Sequence, residues 1–316
     1  MKKLNIISLL LATTIGFSHW TQSEGTEALD MQALLSFNNY DFAGGATGTY
    51  RSVDQAFTFQ LSNNGNDASG PTRAYTFDDD YIYTGTSQGI FRSNNYGDSW
   101  IPKNNGLSNG LTHALIHVGS RMFHTGPFGI STSNNQGDSW SPAGLSGYDV
   151  RCITNIGDNL FVGTNGDGLF KSTDWGENWT PINNGSTSSN FRAIESKGNI
   201  LFAGGQNGTG VFRSFDFGEN WELLTNGISN TSFRGFASND EIIIAGSTGS
   251  GVFYSLDDGD NWQVINDGLT DLNVFDLDLN SNYVIAATHN QGVFHFELSN
   301  IISSIQGDVN DDGIVN

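Results

Sequence analysis

Four arginines and one histidine fall at near-even intervals in this chain. They are Arg73, His113, Arg151, Arg192 and Arg234, separated by 40, 38, 41 and 42 residues. Guanidinium groups gathered in one place hold carboxylates, phosphates or sulfates through charge-assisted, often bidentate, hydrogen bonds. Strung along an extended chain they bind nothing in common. The chemistry therefore depends on whether the interval is that of a repeated structural unit. Gln32 and Phe275 complete the series at its two ends. The competing reading of these residues is a scaffold role, stacking on a neighbouring unit and bonding to its carbonyls.

The C-terminus carries a second candidate. Asp308-Val309-Asn310-Asp311-Asp312-Gly313-Ile314-Val315-Asn316 follows the first nine positions of an EF-hand calcium loop. Asp308, Asn310, Asp312 and Asn316 offer side-chain oxygens, Ile314 a carbonyl, and Gly313 the sharp turn. The bidentate carboxylate of the twelfth position does not occur. Calcium is therefore expected to bind weakly here, with the rest of the loop belonging to a longer polypeptide.

Catalytic groups are harder to assemble. Glycoside hydrolysis needs two carboxylates at a set separation. The carboxylates expected near the basic residues, Asp149, Asp167 and Asp271, form no evident pair. The six histidines are scattered, with no Ser-His-Asp or zinc spacing. Cys152 is the single cysteine, so no internal disulfide forms. Its setting, Val150-Arg151-Cys152-Ile153, reads as a buried strand with an inert packed thiol.

The units that must position these residues announce themselves in an eight-residue motif, Ser-x-Asp-x-Gly-x-x-Trp. It runs Ser93–Trp100, Ser133–Trp140, Ser172–Trp179, Ser214–Trp221 and Ser255–Trp262, with closing tryptophans 40, 39, 42 and 41 residues apart. Its third position is Asn95, Asn135, Asp174, Asp216 and Asp257. A worn copy, Ser52-x-Asp54-x-Ala56-x-Thr58-Phe59, ends 41 residues before Trp100. A period near 40 marks a repeat architecture. Each repeat holds a first strand carrying the basic residue and a second, continuously apolar strand such as Leu160-Phe161-Val162. A third strand follows a glycine turn, and a fourth opens at the tryptophan. Apolar runs without alternation imply burial on both sheet faces. Four-stranded antiparallel repeats stacked on two sides are propeller blades. A worn last repeat, Val284 to Phe296, brings the count to seven. Its outer strand is expected from Ile301 to Ile305 or from the N-terminal lead-in.

The motif resembles the Asp-box of bacterial neuraminidase repeat propellers, over about residues 29–300. That resemblance implies an all-β, seven-bladed propeller of the kind found among sialidases and photosystem II assembly factors. It implies that Asn95, Asn135, Asp174, Asp216 and Asp257 are turn residues, since copies on separate blades cannot form one site. Their side chains accept hydrogen bonds from the turn's own amides. Tyr96, Trp175 and Phe217, at the fourth position, could stack on sugars if exposed. The Phe/Tyr-Arg-Ile-Pro sequence of sialidases is absent. Gly307-Asp308-Val309-Asn310 resembles the opening of a dockerin, which implies a cohesin partner and a polysaccharide-related setting.

First strands line a propeller's axis, so the basic series forms a ring at one channel mouth. The third-strand basics Arg51, Arg92, Lys171 and Arg213 form a second column, nearer the motif turns. With 33 acids against 13 bases, a net charge of −20 excludes a general nucleic-acid binder. Lys2 and Lys3 precede an apolar run from Leu4 to Phe17, which reads as a signal peptide, too short to span a bilayer. The expected organisation is leader 1–24, propeller 25–303 and incomplete calcium loop 304–316. The reading is a bacterial protein, secreted or at the cell surface, whose propeller binds a polysaccharide or extracellular protein. Nucleic acid and membrane insertion are not expected. Catalysis is disfavoured, with a sialidase-like or xyloglucanase-like glycoside hydrolase as the alternative.

Overall fold

The computed structural model describes residues 19–65, 70–107, 110–229 and 231–306. Seven four-stranded antiparallel sheets form a seven-bladed propeller. Six blades follow in chain order over residues 31–61, 72–102, 114–142, 150–181, 191–224 and 232–264. Each runs from the axis outward, and its outer strand is only two or three residues long. Short outer strands leave little open edge to pair with another chain.

The seventh blade joins the chain's two ends. Val274–Leu279, Tyr283–Thr288 and Val293–Glu297 supply three strands, and Thr21–Gln22 supplies the outer one, paired with His295 and Phe294. The lead-in therefore closes the ring. Residues 301–305 are helical instead, within Ser299–Gln306. Residues 19–24, placed in the leader by the expected boundary, are among the described residues and pack into the propeller. Trp20 is 2% exposed, its indole donates to the Ile265 carbonyl and its N–H to that of Asp267. Trp221 uses Ile182 and Asn184 in the same way. Trp20 is thus the seventh blade's motif tryptophan, 39 residues before Phe59. The other residues of the expected leader, 1–18, lie outside the described residues, as does the expected calcium-loop sequence Asp308, Asn310, Asp312, Ile314 and Asn316.

Seven apolar clusters hold the ring, one at each junction between blades. Trp100, for instance, packs with Phe42 of the preceding blade and Tyr75 of its own. Its indole donates to Ser62 and its N–H to Asn64, both on that preceding blade. Close approach of the two blades there needs glycine at the next position. A Cβ on Gly65 would lie 2.4 Å from the Trp100 carbonyl oxygen.

The motif turns are self-contained. The serine hydroxyl accepts the amides of positions three and five, while its own proton goes to the position-three side chain. Two successive residues are left-handed, at φ 58° for Phe217 and 83° for Gly218. Position three is matched to position seven. Asp174, Asp216 and Asp257 accept from the side-chain amides of Asn178, Asn220 and Asn261. Asn95 and Asn135 instead donate to the hydroxyls of Ser99 and Ser139. Asp216→Asn would set one amide donor against another and is expected to lower stability by about 1 kcal/mol. Adding Asn220→Ser should restore most of it. Thermal unfolding of the single and double variants reads both outcomes.

The second basic column is structural. Arg51 reaches Asp98 at 2.6 Å, Arg92 reaches Asp138 at 3.3 Å, Lys171 reaches Glu219 at 3.3 Å and Arg213 reaches Asp260 at 2.7 Å. Each ties one blade's third strand to the next blade's turn. The fourth-position aromatics are occupied as well. Tyr96 stacks on Tyr40 at 4.7 Å, Trp175 receives Arg121, and Phe217 receives Lys171. They are not a shared sugar platform.

Candidate functional site: a basic ring at one mouth of the channel

The first strands surround a central cavity of about 340 Å³. Gln32, Arg73, His113, Arg151, Arg192, Arg234 and Phe275 all line it, one from each blade. The strand register shows how they come to face it. In six blades this residue is skipped by the ladder, as a β-bulge between flanking paired residues. A bulge leaves its residue unpaired and re-aims the side chain. His113 stands just before its strand and keeps one backbone bond, to Thr125. All seven sit where the second strand ends and the turn to the third begins, as Thr72 opposite Thr86 illustrates. The motif turns lie at the other end of the strands.

The ring has fewer counter-charges than cations. Asp149 pairs with Arg151 and stands 3.3 Å from His113 Nδ1. Asp30 accepts from the Gln32 amide. Among the described residues Arg73, Arg192 and Arg234 make no ion pair within 4.0 Å. The Nε atoms of Arg73 and Arg151 are buried without a hydrogen-bond partner. Arg234 lies 3.6 Å over the Phe275 ring. Burial, then the neighbouring Arg192, lowers the Arg234 pKa to about 10. Burial and the charge of Arg151 lower Arg73, Arg192 and His113, the last to about 4. The arginines remain cationic near neutrality and His113 is neutral. Three arginines held down by burial and by neighbouring cations are a site an anion can relieve.

Three further groups were not anticipated. Glu195, Asp276 and Asp278 line the same cavity, three, one and three residues beyond the ring position of their strands, roughly 3–10 Å deeper at strand rise. Asp276 accepts the Leu34 amide at 2.8 Å, Asp278 accepts the Ser36 amide, and Glu195 accepts the Ser238 hydroxyl at 2.9 Å. The two aspartates thereby join the seventh blade to the first. Desolvation raises their pKa values, to about 7 for Glu195, 8 for Asp276 and 6 for Asp278. One signal was available. Asp276 occupies a column filled by Ala33, Ala74, Ala114, Cys152, Ala193 and Gly235, where a carboxylate is out of place.

The carboxylates considered for hydrolysis do not meet. Asp149 belongs to the ring, and Asp271 accepts the amides of Asn273 and Asn290. Asp167 uses its own amide on Thr164. Among the described residues no cluster of three His, Cys, Asp or Glu could hold a metal ion. No helix there is long and apolar enough to cross a membrane. Cys152 is buried, and burial raises its thiol to about 12.

No protein-family model matches the chain, and no curated protein does. Solved structures match its fold. The GH74 enzyme of Niastella koreensis aligns with TM-score 0.67 and 16% identity, over 86% of this chain and 43% of that one. The extracellular domain of the putative one-component system BT4673 from B. thetaiotaomicron gives TM-score 0.73 and 16% identity, over 88% and 39%. This chain thus spans less than half of either. YCF48 from Cyanidioschyzon merolae gives 0.70 and 13% over 88% and 99%, and a structure of YCF48 bound to D1 peptide gives 0.68 and 13% over 88% and 96%. At these identities the likeness is one of fold: the chain is a seven-bladed β-propeller similar to domains of hydrolases, sensors and peptide-binding proteins.

Proposed function

We propose that the propeller is an extracellular binding module that takes the anionic group of a glycan or protein into the arginine ring. The carrying observation is the convergence of Arg73, Arg151, Arg192 and Arg234 on one mouth, with three of them unpaired. The structural neighbours include proteins named for action on xyloglucan, for an extracellular sensor domain and for binding a peptide. That range supports a binding or carbohydrate-related role.

Binding to a panel of uronate-bearing and sulfated glycans and acidic peptides tests the reading. Arg151→Ala with Arg192→Ala is expected to weaken binding at least a hundredfold, since a charge-assisted hydrogen bond contributes about 1.5–3 kcal/mol. The melting temperature should stay close to that of the parent. Unchanged affinity in the folded double variant would overturn the proposal.

Hydrolysis is the second reading, favoured by the three carboxyl groups with raised pKa in the channel. Asp276 and Asp278 already bind the amides of Leu34 and Ser36, which ties them to blade closure. A reducing-sugar assay on acidic and neutral polysaccharides separates the two readings.

A further inference from the structure

The turn between second and third strands of the third blade differs from its counterparts. It reads Gly126-Pro127-Phe128-Gly129, whereas the equivalent turns carry Gln88, Asp167, Asn207 and Asn290. Phe128 is 61% exposed, and its turn opens on the face that bears the basic ring, since Gly126 pairs with Gly129 at that end of the sheet. The other large exposed apolar residues, Leu272 apart, lie on outer strands or on the motif side.

The turn is held firmly. The Gly147 amide donates to the Phe128 carbonyl at 3.2 Å, and the Ile130 amide to Gly144 at 3.2 Å. The segment 144–148 runs directly into Asp149 and Arg151. Phe128 is therefore fixed on the face that bears the ring, held by the segment that leads into Asp149 and Arg151. Its ring protrudes from the turn. An apolar side chain of a peptide gains most from a concave pocket. A pyranose needs only a flat aromatic face for its C–H groups, with hydrogen-bonding groups around it. The equivalent turns of the two neighbouring blades, at Gln88 and Asp167, carry such groups.

We infer that the ligand is an acidic oligosaccharide, its terminal carboxylate in the arginine ring and its next sugar stacked on Phe128. This rests on the ring being the anion site. Isothermal titration with galacturonic acid and glucuronic acid, and with their di- and trisaccharides, tests it. Parent, Phe128→Ala, Phe128→Tyr and Arg192→Ala are compared. Phe128→Ala is expected to weaken di- and trisaccharide binding about tenfold, to leave the free uronic acids unaffected and to keep the parent melting temperature. Phe128→Tyr should bind like the parent. Arg192→Ala should weaken every ligand. If Phe128→Ala binds the oligosaccharides like the parent while Arg192→Ala does not, the stacking inference fails and the ring reading stands. If Arg192→Ala changes nothing, the ring reading itself falls. If the parent ignores these sugars but binds an acidic peptide through Phe128, the ligand class is overturned.

Discussion

Replacing Trp20 by alanine is expected to destabilise the propeller by about 3–5 kcal/mol, the usual range for removing a buried aromatic. The loss should exceed that of any single substitution in the motif turns. Trp20 is 2% exposed, joins the cluster formed by Ile244, Val252, Phe294, Phe296 and Ile301, and meets Phe296 at 5.4 Å between ring centroids. Both of its N–H groups bond to the sixth blade. Its removal leaves a cavity at the junction of blades six and seven and frees the strand that completes the seventh. Trp20→Phe keeps most of the packing but abandons the indole bond, so it should cost about half as much. Chemical denaturation measures both. A Trp20→Ala variant as stable as the parent would mean that the outer strand Thr21–Gln22 contributes nothing to ring closure.

Between pH 6.5 and 9 the propeller is expected to lose stability. Asp276 and Glu195 titrate in the folded state near 8 and 7, above their ordinary values of 3.8 and 4.5. Over that interval the folded protein holds protons that the unfolded chain has released, so raising the pH favours unfolding. The buried histidines act in the opposite sense. His113, His124 and His295 are lowered by burial to about 4 from 6.5, so they favour folding as pH rises from 4 to 6.5. Above 6.5 their contribution is complete and the carboxyls dominate, joined toward pH 9 by the buried Cys152 thiol, whose raised pKa acts in the same sense. At about 1.4 kcal/mol per pH unit, less the screening from solvent in the channel, the loss is on the order of 2 kcal/mol. That is several degrees in melting temperature. Asp276→Asn preserves the acceptor for Leu34 and cannot ionise, so its melting temperature should vary less over the same range. An equal decline in parent and variant would assign the effect to net charge.

Much of this was legible because the chain repeats itself. Five motif turns at fixed spacing, with a worn first and a worn last repeat, set the blade count, and aligning the repeats on the small residue that ends the second strand puts Arg73, His113, Arg151, Arg192 and Arg234 in one column. The bulge that turns these residues into the channel has no separate sequence signal, since it depends on pairing between strands. Trp20 was hidden by its place just after the apolar run Leu4 to Phe17, although its distance from Phe59 keeps the period. The channel carboxyls were hidden for another reason. Val274-Phe275-Asp276-Leu277-Asp278-Leu279 alternates like a surface strand, and only the propeller makes its polar face an interior one. Phe128 was visible as a letter, but its exposure at the rim was not.

Closure by the first residues of the domain also sets an order of events. Thr21 pairs with His295, so the seventh blade stays incomplete until nearly the whole chain is available. The contacts within each of the other six blades are local and quick to form, whereas this one joins the extremes of the sequence. The entropic cost of so long a loop grows only logarithmically with its length, so the delay is one of waiting and not of energy. An emerging chain is thus an open arc of blades with the cluster around Trp20 unfilled. The arginines share one mouth only when that arc shuts, so the proposed anion site can form no earlier than the last pairing step.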